Sequence, residues 1–269
     1  MSTPAQTRSA ESTGRDDAPA PAVATCFDRT RTAQPHWANL PLRQRLACLG
    51  RLRPLIVKHV DELTAPLDAT HVRAPGESLA AEVLPLAEAC RFLQKRAVDI
   101  LKPRRHRTRM LPLWLAGLVV EVRHEPLGVV LVIGPSNYPL FLTGVQLVQA
   151  LVAGNAVVVK PGRTGGEVLH VLARLLGAAG VPDGLVHVLD ESTEAGHAAV
   201  AAGPDKVVLT GGLETGRTVL GELAETMTPA VMELSGCDAV LVHERSDPEL
   251  VARCMAFGMR LNGGATCIG

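Results

Sequence analysis

Three polar side chains stand at or just after short apolar runs, and each run has the composition of a buried strand. Asn137 follows the first run, Lys160 directly follows the second, and Glu233 lies inside the third. The runs are residues 129–133, 156–159 and 230–234. Because ligands of open α/β sheets bind outside the carboxyl ends of the strands, we expect these side chains to meet at one edge of a sheet.

A cysteine and a glycine loop are the other candidates for chemistry. Cys267 follows a flexible Gly-Gly turn and is a candidate nucleophile, although a single cysteine is usually a small buried hydrophobe. Gly211, Gly212 and Gly216 belong to a strand-to-helix loop, where free backbone N–H groups at the helix N-terminus favour a pyrophosphate. The same glycines suit a tight turn that binds nothing, so this loop alone leaves both interpretations open.

The elements that must position these residues alternate between strands and helices. Strands are predicted for the three runs above and for residues 185–189, 206–209 and 239–242. Helices are predicted from Pro139 to the Gly154-Asn155 break and at residues 167–179, 193–202 and 216–227. A last helix begins at Asp247-Pro248, and its inward residues are predicted to be Leu250, Val251, Cys254, Phe257 and Leu261. This alternation predicts an α/β fold that is doubly wound, with a mostly parallel open sheet and helices on both faces.

The N-terminal part is predicted to be helical and to follow a disordered tail. Residues 1–24 are rich in Ser, Thr, Ala and Pro and contain few large apolar residues, which is typical of disorder. Residues 41–63 and 78–101 have helical spacing of their apolar positions, and residues 113–124 have the pattern of a strand or hairpin.

The composition argues against several classes of function. Lys plus Arg and Asp plus Glu number 27 each among 269 residues, and aromatic residues make up 3%, so nucleic-acid binding is not favoured. The basic run at 104–109 is interpreted as a solvated face. Six scattered cysteines without a C-x-x-C pair argue against a zinc or disulfide framework and favour a reducing cytosol. No signal peptide is evident, and Gln146, Gln149 and Asn155 argue against a membrane span in the apolar stretch 139–159. We therefore predict a cytoplasmic protein without a metal site, a membrane span or a nucleic-acid partner.

A series of short motifs runs in one order from Glu125 to Gly269. The motifs are EPLGVVLVIGPSNYP, AGNAVVVKP, GVPDGLV, LTGGLETG, ELSGC and NGGATC. In content, order and spacing they resemble the motifs of the NAD(P)-dependent aldehyde dehydrogenase family, whereas the helical segments upstream contain no diagnostic motif. The resemblance implies a Rossmann-like cofactor domain, with a helical part at 25–112, a dinucleotide-binding core at 113–266, and the start of an absent catalytic domain at 267–269.

The resemblance also implies roles for particular residues. Cys267 occupies the position of the nucleophile, whose thiolate attacks an aldehyde and forms a thiohemiacetal and then a thioester. Asn137 occupies the oxyanion-binding position, and Glu233 occupies the position of the general base that activates the hydrolytic water. The implied cofactor is NAD or NADP. Its implied binding residues are Ile133, Ser136, Lys160, Arg163, Gly211, Gly212, Gly216 and Leu234.

Some positions depart from the family's motifs. Ser136 stands in place of the usual Trp, and Gly212 in place of a Ser that contacts the pyrophosphate. Arg163 stands where many members have a Glu that binds the ribose hydroxyls. Cys237 and Ala265 replace a frequent Lys and a frequent Gln. The three catalytic positions are retained, whereas the choice between NAD and NADP is left open.

Two alternatives to aldehyde oxidation remain at this point. One is a catalytically inactive nucleotide-binding or interaction module, and the other is a relative that forms acyl-CoA or reduces an acyl phosphate. Glu233 argues against the second, because transfer to another acceptor needs no hydrolytic base. Members of the family are usually homo-oligomers and continue well beyond the nucleophile, whereas here only Ile268 and Gly269 follow it. The chain therefore looks like the cofactor domain alone, and we expect it by itself to have little activity.

Overall fold

The computed structural model describes residues 19–106, 112–115, 118–236 and 239–267. The α-helices are α1 (Pro19–Asn39), α2 (Leu42–Lys58), α3 (Val60–Thr70), α4 (Leu84–Leu101), α5 (Phe141–Val152), α6 (Gly166–Ala178), α7 (Thr193–Ala201), α8 (Leu213–Thr226) and α9 (Pro248–Arg260). The strands are β1 (Arg104–His106), β2 (Val120–Val122), β3 (Val129–Ile133), β4 (Ala156–Lys160), β5 (Val186–Val188), β6 (Lys206–Gly211) and β7 (Ala230–Leu234). A π-helical turn (Leu79–Val83) precedes α4, and 3₁₀ turns lie at Leu113–Leu115 and Leu261–Gly264.

In the described part of the chain, β3 to β7 form one parallel sheet in the order β5-β4-β3-β6-β7. The chain moves outward from β3 through β4 to β5, and then returns to the other side of β3 with β6 and β7. The direction of winding therefore reverses between β3 and β6, which is where open α/β sheets form a crevice for ligands. The predicted doubly wound α/β fold with a mostly parallel sheet is confirmed.

Successive side chains of the central strand enter two different hydrophobic cores, because residues on a strand alternate between its faces. Val130 and Val132 pack into the core formed with α2, α4, α5 and α6. Val129, Leu131 and Ile133 pack into the core formed with α1, α7 and α8. All five residues of β3 are buried, which explains why this strand appears in the sequence as a continuous apolar run.

Several predicted boundaries differ from the structure at the N-terminal end. Helix α1 begins at Pro19, so the disorder expected for residues 1–24 does not hold for 19–24, while 1–18 lie outside the described residues. Its Phe27 and Trp37 are almost fully buried, and burial of these few large side chains holds the helix on the sheet. The single helix predicted at 41–63 is two helices, with the break at His59.

The C-terminal part of the structure differs more from the predicted elements. Strand β6 continues to Gly211, because Gly211 pairs with Leu234 of β7, and α8 begins at Leu213 rather than at Gly216. The strand predicted at 239–242 is absent from the described residues 239–242. The inward face predicted for the last helix is also wrong, since α9 buries none of its residues and Phe257 is 69% exposed.

The segment predicted as a strand or hairpin, residues 113–124, is a strand only at 120–122 among its described residues, because residues 113–115 form a 3₁₀ turn. Strand β2 pairs with β1, and Arg105 forms an ion pair with Glu121 at 2.9 Å. Arg104 and Arg105 are exposed, as expected for a solvated basic face, whereas Arg107 and Arg109 lie outside the described residues. Every helix in the described ranges is too short or too polar to cross a bilayer.

Candidate active site

The strand register brings the predicted site residues to one edge of the sheet. Ile133 of β3 is paired with Lys160 of β4, and both lie at the carboxyl ends of their strands. On the other side of β3, Thr210 of β6 is paired with Glu233 of β7. A single cleft of about 1320 Å³ opens along this edge. Its lining includes Ile133, Ser136, Asn137, Lys160, Arg163, Gly211, Gly212, Glu233, Leu234 and Cys267.

Asn137 lies in the loop that follows β3, and its side chain is held at both ends. The backbone N–H of Tyr138 donates to Asn137 Oδ1 at 3.0 Å, and Asn137 Nδ2 donates to the carbonyl of Ala265 at 2.8 Å. A side-chain amide has two N–H donors. The bond to Ala265 uses one of them, and the second has no partner among the described residues, so it is available to an oxygen in the cleft.

Cys267 reaches the same cleft from the segment that follows α9. Thr266 Oγ1 donates to the carbonyl of Leu261 at 3.1 Å and shares a hydrogen bond with the Tyr138 hydroxyl at 2.8 Å. The loop after β3 is therefore joined to the segment that carries the cysteine through Ala265 and Thr266, and also through Asn262, whose Nδ2 donates to the carbonyl of Asn137 at 2.8 Å. Cys267 itself is an exposed free thiol, and so it is accessible to a reactant in the cleft.

Glu233 is presented to the cleft by the alternation of strand β7. The side chains of Val231 and Glu233 are exposed, whereas those of Ala230, Met232 and Leu234 are half-buried. The carboxylate therefore remains in contact with water, which avoids the large free-energy cost of an unpaired buried charge. The exposed carboxylate of Glu233 and the exposed thiol of Cys267 therefore line the same cleft.

Lys160 is a half-buried cation at the opposite end of the cleft from β7. Burial lowers the pKa of Lys160, while the carboxylates of Glu191 and Asp190 act in the opposite direction. Gly162 packs directly on the loop after β3, since a Cβ there would lie 2.4 Å from the carbonyl group of Pro135. Only glycine permits this contact, and it places the exposed Arg163 at the mouth of the cleft.

The glycine loop combines a free helix N-terminus with a packing constraint. Gly212 precedes α8 in an extended conformation and provides no side-chain hydrogen bond to the first turn of the helix. Gly216 does not line the cleft; a Cβ on it would lie 2.6 Å from Leu234, so this glycine allows α8 to pack on β7. Of the three glycines, only Gly211 and Gly212 face the cleft.

Glu191 is a residue of the cleft that the sequence analysis missed. It follows β5, and its carboxylate accepts hydrogen bonds from the backbone N–H groups of Thr164 and Gly166, both at 2.7 Å. Thr164 has a φ of 65°, a left-handed conformation that is unfavourable for a β-branched residue. Glu191 therefore stabilises the loop that carries Arg163. The same carboxyl-end rule that selected Lys160 could have selected Asp190 and Glu191, because both directly follow an apolar strand.

Replacing Glu191 with alanine is expected to weaken the binding of the NAD that the sequence motifs imply by about fivefold to tenfold. The two loop N–H groups lose their acceptor, and the loss of such a helix-start contact typically costs about 1 kcal/mol. Calorimetric titration of NAD measures the effect. The matched control is Glu194→Ala, which removes the same charge from an exposed position two residues into α7 that does not line the cleft. Equal affinities of the two variants would contradict the loop-supporting role.

Comparison with known proteins agrees with this architecture. Residues 4–269 match the pattern of the aldehyde dehydrogenase family. The chain is 32% identical over 240 residues to 4,4'-diapolycopene aldehyde oxidase of Methylomonas sp, an alignment that covers 89% of this chain and 45% of the relative. It is 31% identical over 231 residues to 4,4'-diapolycopene-4,4'-dial dehydrogenase of Cytobacillus firmus, covering 84% of this chain and 49% of the relative.

Comparison with solved structures also agrees with this fold. The structure of PnpE in complex with nicotinamide adenine dinucleotide superposes with a TM-score of 0.85 at 26% identity, covering 93% of this chain and 50% of that chain. The chain therefore belongs to the aldehyde dehydrogenase family. It spans about half the length of the relatives that it matches.

Proposed function

We propose that this chain supplies the cofactor-binding half and the nucleophile of an enzyme that oxidises an aldehyde to a carboxylic acid with NAD or NADP. One observation carries the proposal: Asn137, Lys160, Glu233 and Cys267 line one cleft at the carboxyl edge of the sheet. Membership of the aldehyde dehydrogenase family supports it. We also propose a cytoplasmic location, because the cysteines in the described ranges are free thiols and thus suit a reducing compartment.

The proposed reaction begins at Cys267. Its thiolate adds to the carbonyl carbon of the aldehyde, and the C–O π electrons move to the oxygen, which becomes an oxyanion. The free N–H of the Asn137 amide donates a hydrogen bond to that oxygen. A nicotinamide cofactor held by Lys160 and by the backbone at Gly211 and Gly212 would supply the acceptor for the hydride that leaves this carbon, so that the acyl group stays on Cys267 as a thioester. Glu233 then takes a proton from water, whose oxygen attacks the thioester and releases the acid and the thiolate.

The cleft fits a dinucleotide in three respects. The first turn of α8 has no side-chain cap, so its backbone N–H groups can hold a pyrophosphate. Gly212 has no atom within 4 Å of the position that a Cβ would occupy, so a ligand can approach the backbone there. Lys160 and Arg163 add positive charge near the loop after β4, where an adenosine ribose or its phosphate can bind.

The charge at Arg163 leads to a prediction about cofactor choice. An arginine provides a planar fork of donors that suits a phosphate, whereas a carboxylate at this position repels one. We therefore expect NADP to bind at least as well as NAD. Competitive titration of the two cofactors measures this preference. Arg163→Glu is expected to shift it toward NAD by about tenfold or more, since a charge-assisted phosphate contact contributes about 1.5–3 kcal/mol.

The control for that charge reversal is Arg96→Glu, at an exposed position on α4 that does not line the cleft. It is expected to leave the ratio of the two affinities unchanged. A clear preference for NAD that Arg163→Glu does not alter would contradict the role of Arg163.

The proposed function is tested by two measurements on one preparation, in which this chain is joined to the remaining half that its relatives contain, because the chain by itself is expected to have little activity. The first is calorimetric titration of NAD and NADP, and the second is the aldehyde-dependent formation of NAD(P)H over a series of aldehydes. Binding together with turnover supports the proposal. Binding without turnover under every condition would favour a non-catalytic nucleotide-binding module. Formation of an acyl-CoA in place of the free acid would identify an acyl-transferring relative.

A further inference from the structure

A buried arginine joins three segments that are distant in sequence and that meet behind the candidate active site. Arg73, in the loop after α3, forms an ion pair with Glu82 at 2.6 Å, and their side chains are 1% and 0% exposed. Burying two charges carries a large desolvation penalty, which is offset only when further hydrogen bonds satisfy both groups. The partners of the remaining polar atoms therefore indicate what this pair supports.

Glu82 binds the start of α5. Its Oε2 accepts hydrogen bonds from the backbone N–H groups of Leu140, at 2.7 Å, and Phe141, at 3.1 Å. These N–H groups lie at the start of the helix, where no partner exists within the helix itself. The carboxylate thus fixes the point at which the loop carrying Asn137 becomes helix.

The guanidinium of Arg73 extends the network toward the cysteine. Nη2 donates to the carbonyl of Asn137 at 2.8 Å, Nη1 donates to Ser78 Oγ at 3.0 Å, and Nε donates to Asn262 Oδ1 at 2.6 Å. Asn262 in turn donates through Nδ2 to the carbonyl of Asn137 at 2.8 Å. Arg73 and Asn262 therefore hold the same carbonyl from two directions.

Asn262 makes this contact from a strained backbone conformation. It is 4% exposed and has a φ of 52°, and its N–H donates to Glu77 Oε1 at 2.5 Å. A non-glycine residue with a positive φ is uncommon and persists where its surroundings determine it. The carbonyl of Asn262 then accepts the N–H of Ala265, two residues before Cys267.

We propose that Arg73 and Asn262 are positioning residues that set the separation of the Asn137 amide and the Cys267 thiol. This inference rests on the proposed function. Neither residue lines the cleft, so each acts through the backbone of Asn137 and of the segment 262–267. Accurate placement matters because a displacement of about 1 Å between reacting groups can lower a rate by roughly a hundredfold. The Lys160 end of the cleft has no contact with this network among the described hydrogen bonds, so cofactor binding is expected to be independent of it.

The main test variant is Asn262→Gly, because glycine accepts the positive φ and the change removes only the side-chain amide. Arg73→Lys is the second variant, since lysine keeps the charge beside Glu82 but lacks the planar fork that reaches three partners. The matched control is Met227→Gly, at an exposed residue with a φ of 55° at the end of α8. Turnover is expressed per cofactor-binding site. Partial unfolding removes active sites and cofactor-binding sites together, and so it leaves this ratio unchanged.

We expect Asn262→Gly and Arg73→Lys to lower turnover per cofactor site by about tenfold or more while the Kd for NAD changes by less than about twofold. Hydrogen exchange is expected to rise in peptides covering 135–141 and 261–267 and to stay unchanged at 156–166. Met227→Gly is expected to match the wild type in all three measurements.

Wild-type turnover and exchange in Asn262→Gly would overturn the inference, and so would a parallel loss of turnover and cofactor sites in both variants. If the wild type shows no turnover even when it is joined to the remaining half that its relatives contain, the proposed function fails. In that case the exchange measurement decides the positioning role alone, with increased exchange confined to 135–141 and 261–267 supporting it and unchanged exchange overturning it.

Discussion

Replacing Cys267 with alanine is expected to abolish the aldehyde-dependent formation of NAD(P)H. The proposed nucleophile is the sulfur itself, so without it no thiohemiacetal forms and the aldehyde has no covalent path to oxidation. Cys267 lies on the cleft wall and does not contribute to the buried core, so the variant is expected to fold and to bind cofactor as the wild type does. Enzyme assays and calorimetric titration on the same sample measure both outcomes.

The matched control is Cys254→Ala, which removes the exposed cysteine of α9 that does not line the cleft. It is expected to retain full turnover. Iodoacetamide labelling with peptide mapping provides an independent measurement, in which Cys267 is expected to react fastest, because a nucleophilic cysteine is an accessible thiol beside a base. Equal labelling of Cys267, Cys254 and Cys237, or turnover that survives in Cys267→Ala, would contradict the proposed role.

Replacing Asn137 with alanine is expected to lower the rate of aldehyde oxidation by about 10²- to 10³-fold, which is the usual effect of losing one oxyanion-binding donor. The free N–H of its amide is proposed to bind the oxygen that becomes negatively charged as Cys267 attacks. The affinity for NAD is expected to remain close to that of the wild type. Steady-state kinetics that separate kcat from the KM for NAD measure this difference.

A second variant separates the donor from the shape of the side chain. Asn137→Asp keeps the oxygen that accepts the Tyr138 N–H but replaces the donating nitrogen with an oxygen that repels an anion. It is expected to be at least as slow as Asn137→Ala. Asn39→Ala, at an exposed residue at the end of α1, is the control for the loss of an amide and is expected to be fully active. An Asn137→Asp variant faster than Asn137→Ala would show that shape, not hydrogen-bond donation, is what matters here.

The strands of the sheet and the residues at their ends could be predicted from the sequence. Strands β3 and β7 were predicted with the same limits as in the structure, and β4 differs by one residue. The physical reason is local: an apolar run rich in β-branched residues, buried on both faces, is a property of the strand alone. Because parallel strands present their carboxyl ends at one edge, the same pattern predicted that Asn137, Lys160 and Glu233 would share a cleft.

The beginning of α5 was not predictable in the same way. Pro139 suggested an earlier start, because proline suits the first turn of a helix. In the structure the helix starts at Phe141, because a carboxylate from Glu82 binds the N–H groups of Leu140 and Phe141. Nothing in the spacing of Arg73, Glu82 and Asn137 indicated that they would meet, since a buried polar network is formed by the way in which separate elements pack.

The amphipathic pattern of α9 shows a related limit. Its spacing predicted an inward face, and spacing does specify a helix, but the pattern cannot specify what covers that face. Among the described residues nothing buries a side chain of α9. Whether the apolar face of a helix is buried therefore depends on which other elements pack against it, and not on the helix sequence.

By itself, then, the sequence determined the α/β class, the strands and the motif residues at their carboxyl ends, because these depend on short-range patterns of burial and backbone freedom. Only the tertiary structure decided the support of Arg163 by Glu191 and the buried link from Arg73 through Asn262 to the Asn137 loop. Those contacts join residues that are far apart along the chain, and they stabilise the protein only after the separate elements have packed together.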